Sequence, residues 1–229
     1  RKRGQPLFVI DNTDHETLVI EKVRLTFKGS KRSYIFQNNS DRTLVLRDMG
    51  WACPSHVYRN EGTGDVFMEN VHTITRETTV DRPAWLFKNQ NVWARHFNPE
   101  NDMNKRPENS ETTLLVVDGG SFWCLGYKFG EFNGPYIQAK NGARVEMLGG
   151  FWNSLGRGQA PNRALFINEN ADLTLIGVER MFGGRPSPHR VAIREIHNDS
   201  PTELLHNKFP YRRLNDNPAI VIPLYRGNP

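Results

Sequence analysis

The stretch PYIQAKNGARVEMLGGFW, residues 135–152, contains the pattern that decides the fold. A short apolar segment at Tyr136 and Ile137 leads into a polar corner. A second segment then places Val145 and Met147 two residues apart, and a pair of glycines precedes the next apolar residues. Alternation of inward and outward side chains is the signature of a β-strand. The stretch therefore predicts three short strands that are separated by tight bends.

The same pattern recurs seven times, with apolar residues at the first, third and sixth positions of each copy. The first positions are Leu18, Leu44, Val66, Val92, Phe122, Val145 and Leu173. Successive copies begin 22 to 30 residues apart, and no segment has a long 3.6-residue apolar period. A unit of this size cannot bury its apolar side alone, but stacked units can. The spacing predicts an all-β solenoid with few helices.

This repeat resembles the right-handed parallel β-helix of the pectate lyase and pectin lyase superfamily. The resemblance covers about residues 7–181 and depends on the pattern rather than on a motif. It implies a right-handed, single-stranded parallel β-helix of about seven coils, which we assign to residues 1–200. We expect the tail 201–229 to pack on the last coils. It also implies a secreted or periplasmic carbohydrate-active protein. Residues 1–6 contain no cap for the first coil, so we expect further sequence upstream.

Two rows of outward positions on the second strand deserve separate predictions. The row three after each first position begins with alternating charges and ends with apolar residues: Glu21, Arg47, Glu69, Arg95, Leu125, Leu148 and Ile176. We expect ion pairs between neighbouring coils, and we expect the tail to cover the apolar part with Leu204, Leu205, Phe209 and Ile220. The row one after each first position begins with five apolar residues: Val19, Val45, Phe67, Trp93 and Trp123.

The apolar row around Phe67, Trp93 and Trp123 has two interpretations. It is a face covered by a missing segment, another domain or a second subunit, because large exposed apolar patches mark interaction surfaces. Alternatively, Trp93 and Trp123 form a platform on which a sugar stacks. The first interpretation predicts a homo-oligomer or an N-terminal domain that docks through this face.

In the resembled superfamily, substrate lies along the third strand and the loops that leave it. Six residues after each first position, that strand here presents Arg24, Gly50, His72, Asn98, Lys128, Phe151 and Glu179. A polysaccharide lyase needs a base and positive charge to stabilise an enolate. We predict Lys128, His72 and Arg24 as catalytic residues. The predicted substrate-binding residues are Asn98, Phe151, Trp152 and Glu179.

Two alternatives to a lyase remain open. A glycoside hydrolase needs two carboxylates, for which Glu100 and Glu131 are the candidates. A non-catalytic stalk, adhesin-like part or oligomerisation module is the other alternative, since the superfamily's polygalacturonase and pectate lyase motifs are absent. No metal-spaced Cys/His cluster occurs, so we predict no cofactor and no metal. Calcium is left open, although no cluster of calcium ligands is evident.

Composition narrows the choice of partner. The net charge is +5, which fits an acidic polysaccharide. Binding of nucleic acid rests on net charge alone and is not predicted. No apolar run reaches the roughly 18 residues of a membrane helix, so membrane insertion is not predicted either. Cys53 and Cys124 fall three coils apart, about 14 Å, and are predicted to be reduced thiols.

Overall fold

The computed structural model is an all-β parallel solenoid of about six turns, which confirms the predicted fold class. It describes residues 5–26, 34–53, 56–75, 82–101, 112–130, 132, 134–154, 160–181, 189–214 and 217–228. The strands are β1 (Phe8–Ile10), β2 (Thr17–Glu21), β3 (Arg24–Thr26), β4 (Tyr34–Asn38), β5 (Thr43–Cys53), β6 (His56–Asn60), β7 (Val66–Thr75), β8 (Trp85–Asn101), β9 (Leu115–Phe129), β10 (Ile137–Lys140), β11 (Arg144–Ser154), β12 (Ala160–Glu169), β13 (Asp172–Met181), β14 (His189–His197), β15 (Ser200–Leu205), β16 (Tyr211–Leu214) and β17 (Asn217–Gly227). The right-handed winding and the count of seven coils stay predictions.

The strands of successive coils pair in parallel, in the register that the repeat predicts. The first apolar positions align from coil to coil, as Leu44 with Val66, Val66 with Val92, and Val92 with Phe122. One parallel sheet of the solenoid consists of β1, β4, β6, β8, β9, β10, β12 and β14. The second and third strands of the coils form the other parallel sheets. These contain β2 and β3, then β5, β7, β8, β9, β11 and β13. Inward side chains therefore stack at the spacing of neighbouring strands, about 4.8 Å.

The interior is a column of aromatic and aliphatic side chains. Tyr58 lies 5.0 Å from Phe87, and Trp85 contacts Phe97 edge to face at 5.0 Å, each measured between ring centroids. Cys124 is buried in this core as a free thiol, and burial raises its pKa to about 12. The prediction of a reduced, core-filling Cys124 is confirmed, whereas the side chain of Cys53 lies outside the described residues.

The bend between the second and third strands is tight in six successive coils, and the coil that contains β13 lacks it. Its residue adopts a left-handed backbone conformation with φ between 51° and 73°, at Lys22, Asp48, Asn70, His96, Gly126 and Gly149. Short polar residues and glycine tolerate this conformation best. The Asn70 amide donates a hydrogen bond of 2.8 Å to the Asp48 carboxylate, which links two successive bends. These bends align along the solenoid, and they position the candidate site.

The charged row forms the predicted ladder. Glu21, Arg47, Glu69 and Arg95 lie opposite one another in successive coils. Arg47 pairs with Glu21, and Arg95 pairs with Glu69. These exposed pairs each contribute little to stability, but they confirm the register.

The tail does not cover the apolar row as predicted. Strand β17 pairs antiparallel with β13, so it adds a rung to the end of the solenoid. Ile220 is buried and Phe209 packs on the core, but Leu204 stays exposed, as do Leu125 and Ile176. The physical reason is the edge of β13, whose backbone N–H and C=O groups need partners. The tail satisfies that edge rather than the apolar row. Within the described residues, no helix is long and apolar enough to cross a membrane.

Candidate functional site

A groove of about 840 Å³ lies along the aligned bends between the second and third strands. It follows the solenoid across five successive coils. Its lining residues are Asn70, His72, His96, Phe97, Asn98, Gly126, Tyr127, Lys128, Gly149, Gly150, Phe151, Val178 and Arg180. The groove coincides with the side of the coil on which the sequence predicts substrate.

Glycines form the floor of the groove. The bend positions that hold Asn70 and His96 in earlier coils are Gly126 and Gly149 in the next two. A Cβ atom added to Gly149 would have no neighbour within 4 Å, so this position opens to the groove. Gly150 lies directly over Tyr127, whose hydroxyl donates to the backbone oxygen of Ile176 at 3.1 Å. Burial raises the pKa of Tyr127 above its usual range, so the phenol stays neutral.

The wall of the groove is the outward row of the third strand. His72 lies opposite Asn98, and Lys128 lies opposite Phe151. The amide of Asn98, oriented to satisfy its neighbours, donates to the backbone oxygen of Lys128 at 2.8 Å. His72 and Phe151 are exposed, while Asn98 and Lys128 are half-buried. The predicted neighbours His72, Asn98, Lys128 and Phe151 therefore share one surface.

Glu100 lies beside this wall, two residues beyond Asn98 on the same outward face of β8. It pairs with the ammonium of Lys128, and its Oε1 accepts the Asn98 amide at 3.2 Å. These contacts fix the direction of the Lys128 side chain. Glu100 does not line the groove, and its proposed hydrolase partner Glu131 lies outside the described residues.

Arg24 belongs to the same outward row but not to the groove. It is exposed and lies opposite Gly50, and its side chain extends over that glycine. A Cβ atom on Gly50 would lie 3.4 Å from Cγ and 3.6 Å from Nε of Arg24. The guanidinium therefore extends from the first coil toward His72, beyond the end of the groove that His72 lines.

Two predicted substrate-binding residues are misplaced. Trp152 and Glu179 are both fully buried, and they lie opposite each other on the inner side of the third strand. Trp152 directly follows the outward Phe151, so strand alternation turns it inward. For Glu179 the reason is a bulge: Gly149 has no counterpart in the following coil, so Phe151 lies opposite Val178. Counting six residues from the first apolar position therefore gives an outward residue in β11 but an inward one in β13. The prediction that Trp152 and Glu179 contact substrate at the surface is wrong.

The structure adds Arg180 and His96 to the lining, and the sequence analysis missed both. Arg180 follows Val178 by two residues, so strand alternation places it on the same outward face. His96 occupies the bend position that Asp48 and Asn70 occupy in earlier coils. The sequence signal for His96 is its position in the repeat, four residues after the first apolar position, where the bend falls.

A second depression of about 630 Å³ continues the track toward the start of the solenoid. It shares Asn70 and His96 with the groove and also contacts Lys22, Arg47, Asp48 and Glu69. The two depressions together form an elongated track along the axis, a shape that suits a linear polymer.

The charged side chains that line the main groove are cationic, although the ammonium of Lys128 pairs with Glu100 beside the groove. Lys128 and Arg180 line it together with two histidines, and none of the described lining residues is acidic. Within the described residues, no group of three or more His, Cys, Asp or Glu side chains is arranged to hold a metal ion. The arrangement suits an anionic ligand that also has apolar surface to place against Phe151 and Val178.

No protein-family model, curated protein or solved structure matches this chain. The fold and the groove define the class of the molecule as a parallel β-solenoid with an elongated groove on its flank.

Proposed function

We propose that this β-solenoid is a member of the pectate lyase and pectin lyase-like class that binds an acidic polysaccharide along the groove. The observation that carries the proposal is the lining, which contains Lys128 and Arg180 and, among its described residues, no carboxylate. Cations that face a concave surface raise the local concentration of an anionic ligand. The solenoid axis provides the direction of the bound chain.

Each part of the lining has a role in this proposal. Lys128, which Glu100 holds in place, contacts a carboxylate of the ligand. Asn98 positions Lys128 through its backbone oxygen. Phe151 offers an exposed aromatic surface against which a sugar ring packs. The glycines at Gly126 and Gly149 let the ligand approach the backbone.

The geometry favours binding over cleavage by β-elimination. Cleavage needs a base and a cation at the same sugar ring. His72 and Lys128 lie two coils apart, about 10 Å, so they reach different rings. Asn98 stands between them in the row.

Calorimetric titration tests the proposal with oligogalacturonate as the probe and a neutral oligosaccharide of equal length as its control. The acidic probe is expected to bind more tightly than the neutral one, and added salt is expected to weaken its binding. The double substitution Lys128→Ala with Arg180→Ala is expected to weaken binding at least about tenfold. Lys208→Ala removes an exposed lysine of the tail and is expected to leave binding unchanged.

Two results contradict the proposal: equal binding of both probes, or binding that the double substitution does not alter. Ultraviolet absorbance of the same mixtures detects the unsaturated product of β-elimination. Its appearance, and its loss in His72→Ala, would establish cleavage in place of binding alone.

A further inference from the structure

One continuous apolar band crosses an outward sheet face of the solenoid. In its first half the band consists of Val19, Val45, Phe67, Trp93 and Trp123, which lie opposite one another in successive coils. In its second half it shifts two residues along the strand, to Leu125, Leu148 and Ile176. Leu224 of β17 extends it, because β17 pairs with β13 on either side of Ile176.

The band is open to solvent in the folded chain. Six of its members are large side chains with exposed fractions of 37% to 61%: Val19, Phe67, Trp93, Leu125, Ile176 and Leu224. Isolated apolar residues are ordinary at a surface, but a contiguous patch of this kind marks an interaction surface.

The aromatic part does not suit sugar stacking. The rings of Phe67 and Trp93 are 4.9 Å apart and almost parallel, with an angle of 11° between their planes. Each ring therefore covers a face of the other, and their edges point outward. A sugar ring packs on an aromatic face, whereas aromatic edges and aliphatic side chains pack well against another apolar protein surface.

The size of the band suits a protein partner. It crosses eight strands, which makes it about 34 Å long at the usual strand spacing. Together with the charged residues that flank it, the face is about 17 Å wide. Each copy would then contribute on the order of 600 Å², or about 1,200 Å² in a pair. That total reaches the lower end of the range for specific protein interfaces.

The flanks of the band favour a second copy of the same chain. The protein has a net charge of +5, which opposes self-association. The charged residues of this face are nevertheless almost balanced. They are Arg47, Arg95, Arg144 and Arg226, with Glu21, Asp65, Glu69, Glu146 and Asp172. Several pair within the chain, as Arg47 does with Glu21 and Arg95 with Glu69, so two copies can approach without local repulsion.

We propose that the protein forms a symmetric dimer in which the two apolar bands face each other. Because the two halves of the band lie in different rows, the band runs obliquely across the sheet face. A two-fold axis parallel to this oblique direction would place the band of one copy against the band of the other. This isologous arrangement places the two solenoids nearly side by side. It also brings each residue near the axis, such as Phe67, close to the same residue of the partner.

Sedimentation analysis of the full chain over about 1 to 100 μM tests the proposal. The wild type is expected to be dimeric, and Trp93→Glu is expected to raise the dissociation constant at least about tenfold by placing a charge in the interface. Val9→Glu is the matched control, because Val9 is an apolar residue of β1 with 52% exposure outside the band. It is expected to leave the dimer unchanged.

A cysteine variant keeps the proposal falsifiable if Trp93→Glu fails to fold. Phe67→Cys is expected to form an intermolecular disulfide under mild oxidation, and Val9→Cys is not. The wild type controls for the native cysteines. A wild type that stays monomeric at 100 μM overturns the proposal and assigns the band to another segment, domain or protein. A dimer that persists in Trp93→Glu overturns it as well.

Discussion

Oε2 of Glu179 lies 2.5 Å from Nε2 of His206, and this pair joins the last coil to the C-terminal tail. Glu179 is fully buried, and His206 belongs to a short 3₁₀ turn, His206–Lys208. A buried carboxylate is costly unless charged or hydrogen-bonding partners surround it. His206 therefore stabilises the buried carboxylate of Glu179 only while the tail holds the imidazole against it.

Removal of the imidazole is expected to destabilise the whole fold. In His206→Ala, the buried carboxylate loses this partner, and the free energy of unfolding is expected to fall by about 3 kcal/mol. Urea denaturation followed by circular dichroism measures the change. Lys208→Ala, on the same turn but exposed, is expected to stay within about 0.5 kcal/mol of the wild type. A loss of that small size in His206→Ala would contradict the prediction.

His189 is expected to make stability depend on pH. Burial lowers its pKa below 6.5, although the nearby carboxylate of Glu179 opposes this shift. As the pH falls through about 6.5, His189 therefore binds a proton in the unfolded chain but not yet in the folded chain. Stability is complete above that pH and is lost as the pH falls toward the folded pKa, by at most about 1.4 kcal/mol per pH unit.

His189→Asn removes this proton uptake while keeping an amide that can donate to the backbone oxygen of Arg163, which lies 3.3 Å from Nδ1. Urea denaturation at a series of pH values between about 7 and 5 is expected to show a flatter profile for this variant than for the wild type. The exposed His15→Asn is expected to follow the wild-type profile. Parallel profiles for all three proteins would show that His189 does not contribute.

The repeat predicts the stack of coils because inward positions must be apolar and each coil fixes the register of the next. Leu44, Val66 and Val92 could be aligned by counting for that reason. Counting fails where the backbone gains or loses a residue, and Gly149 is such a point. The count therefore predicts an outward Glu179, although this residue lies inside.

The groove could be predicted only in part. Its wall follows from strand alternation, which correctly placed His72, Asn98, Lys128 and Phe151 on one surface. Its floor depends on the left-handed bend, where His96 gives way to Gly126. The role of the tail depends on the open edge of β13, which no side-chain pattern reveals.

Tyr127 makes Gly177, which lies in a later coil, sensitive to substitution. A Cβ atom on Gly177 would collide with the Tyr127 hydroxyl and lie 2.8 Å from Cζ3 of Trp152. Gly177→Ala is therefore expected to lower the free energy of unfolding by about 2 to 3 kcal/mol through overpacking. In Gly50→Ala, the added atom would meet Arg24 at an ordinary 3.4 Å, so this control is expected to change stability little. Equal denaturation midpoints for the two variants would refute the expectation.

Two glycines of one coil allow an effect on ligand binding to be distinguished from an effect on stability. Gly149 and Gly142 have φ values of 68° and 73°, and a Cβ on either would meet nothing within 4 Å. Only Gly149 lines the groove. His96 occupies the equivalent bend in an earlier coil with a φ of 51°, so a histidine fits this backbone. Gly149→His and Gly142→His are each expected to cost about 1 kcal/mol of stability.

The two variants are expected to differ in ligand binding. In Gly149→His the imidazole would fill the open floor, and the affinity for oligogalacturonate is expected to fall at least about tenfold. In Gly142→His the affinity is expected to stay within about twofold of the wild type, because this bend lies outside the lining of the groove. Calorimetric titration of both variants, with thermal unfolding as the check on stability, measures the difference. An equal affinity for both would mean that the ligand does not occupy the floor at Gly149.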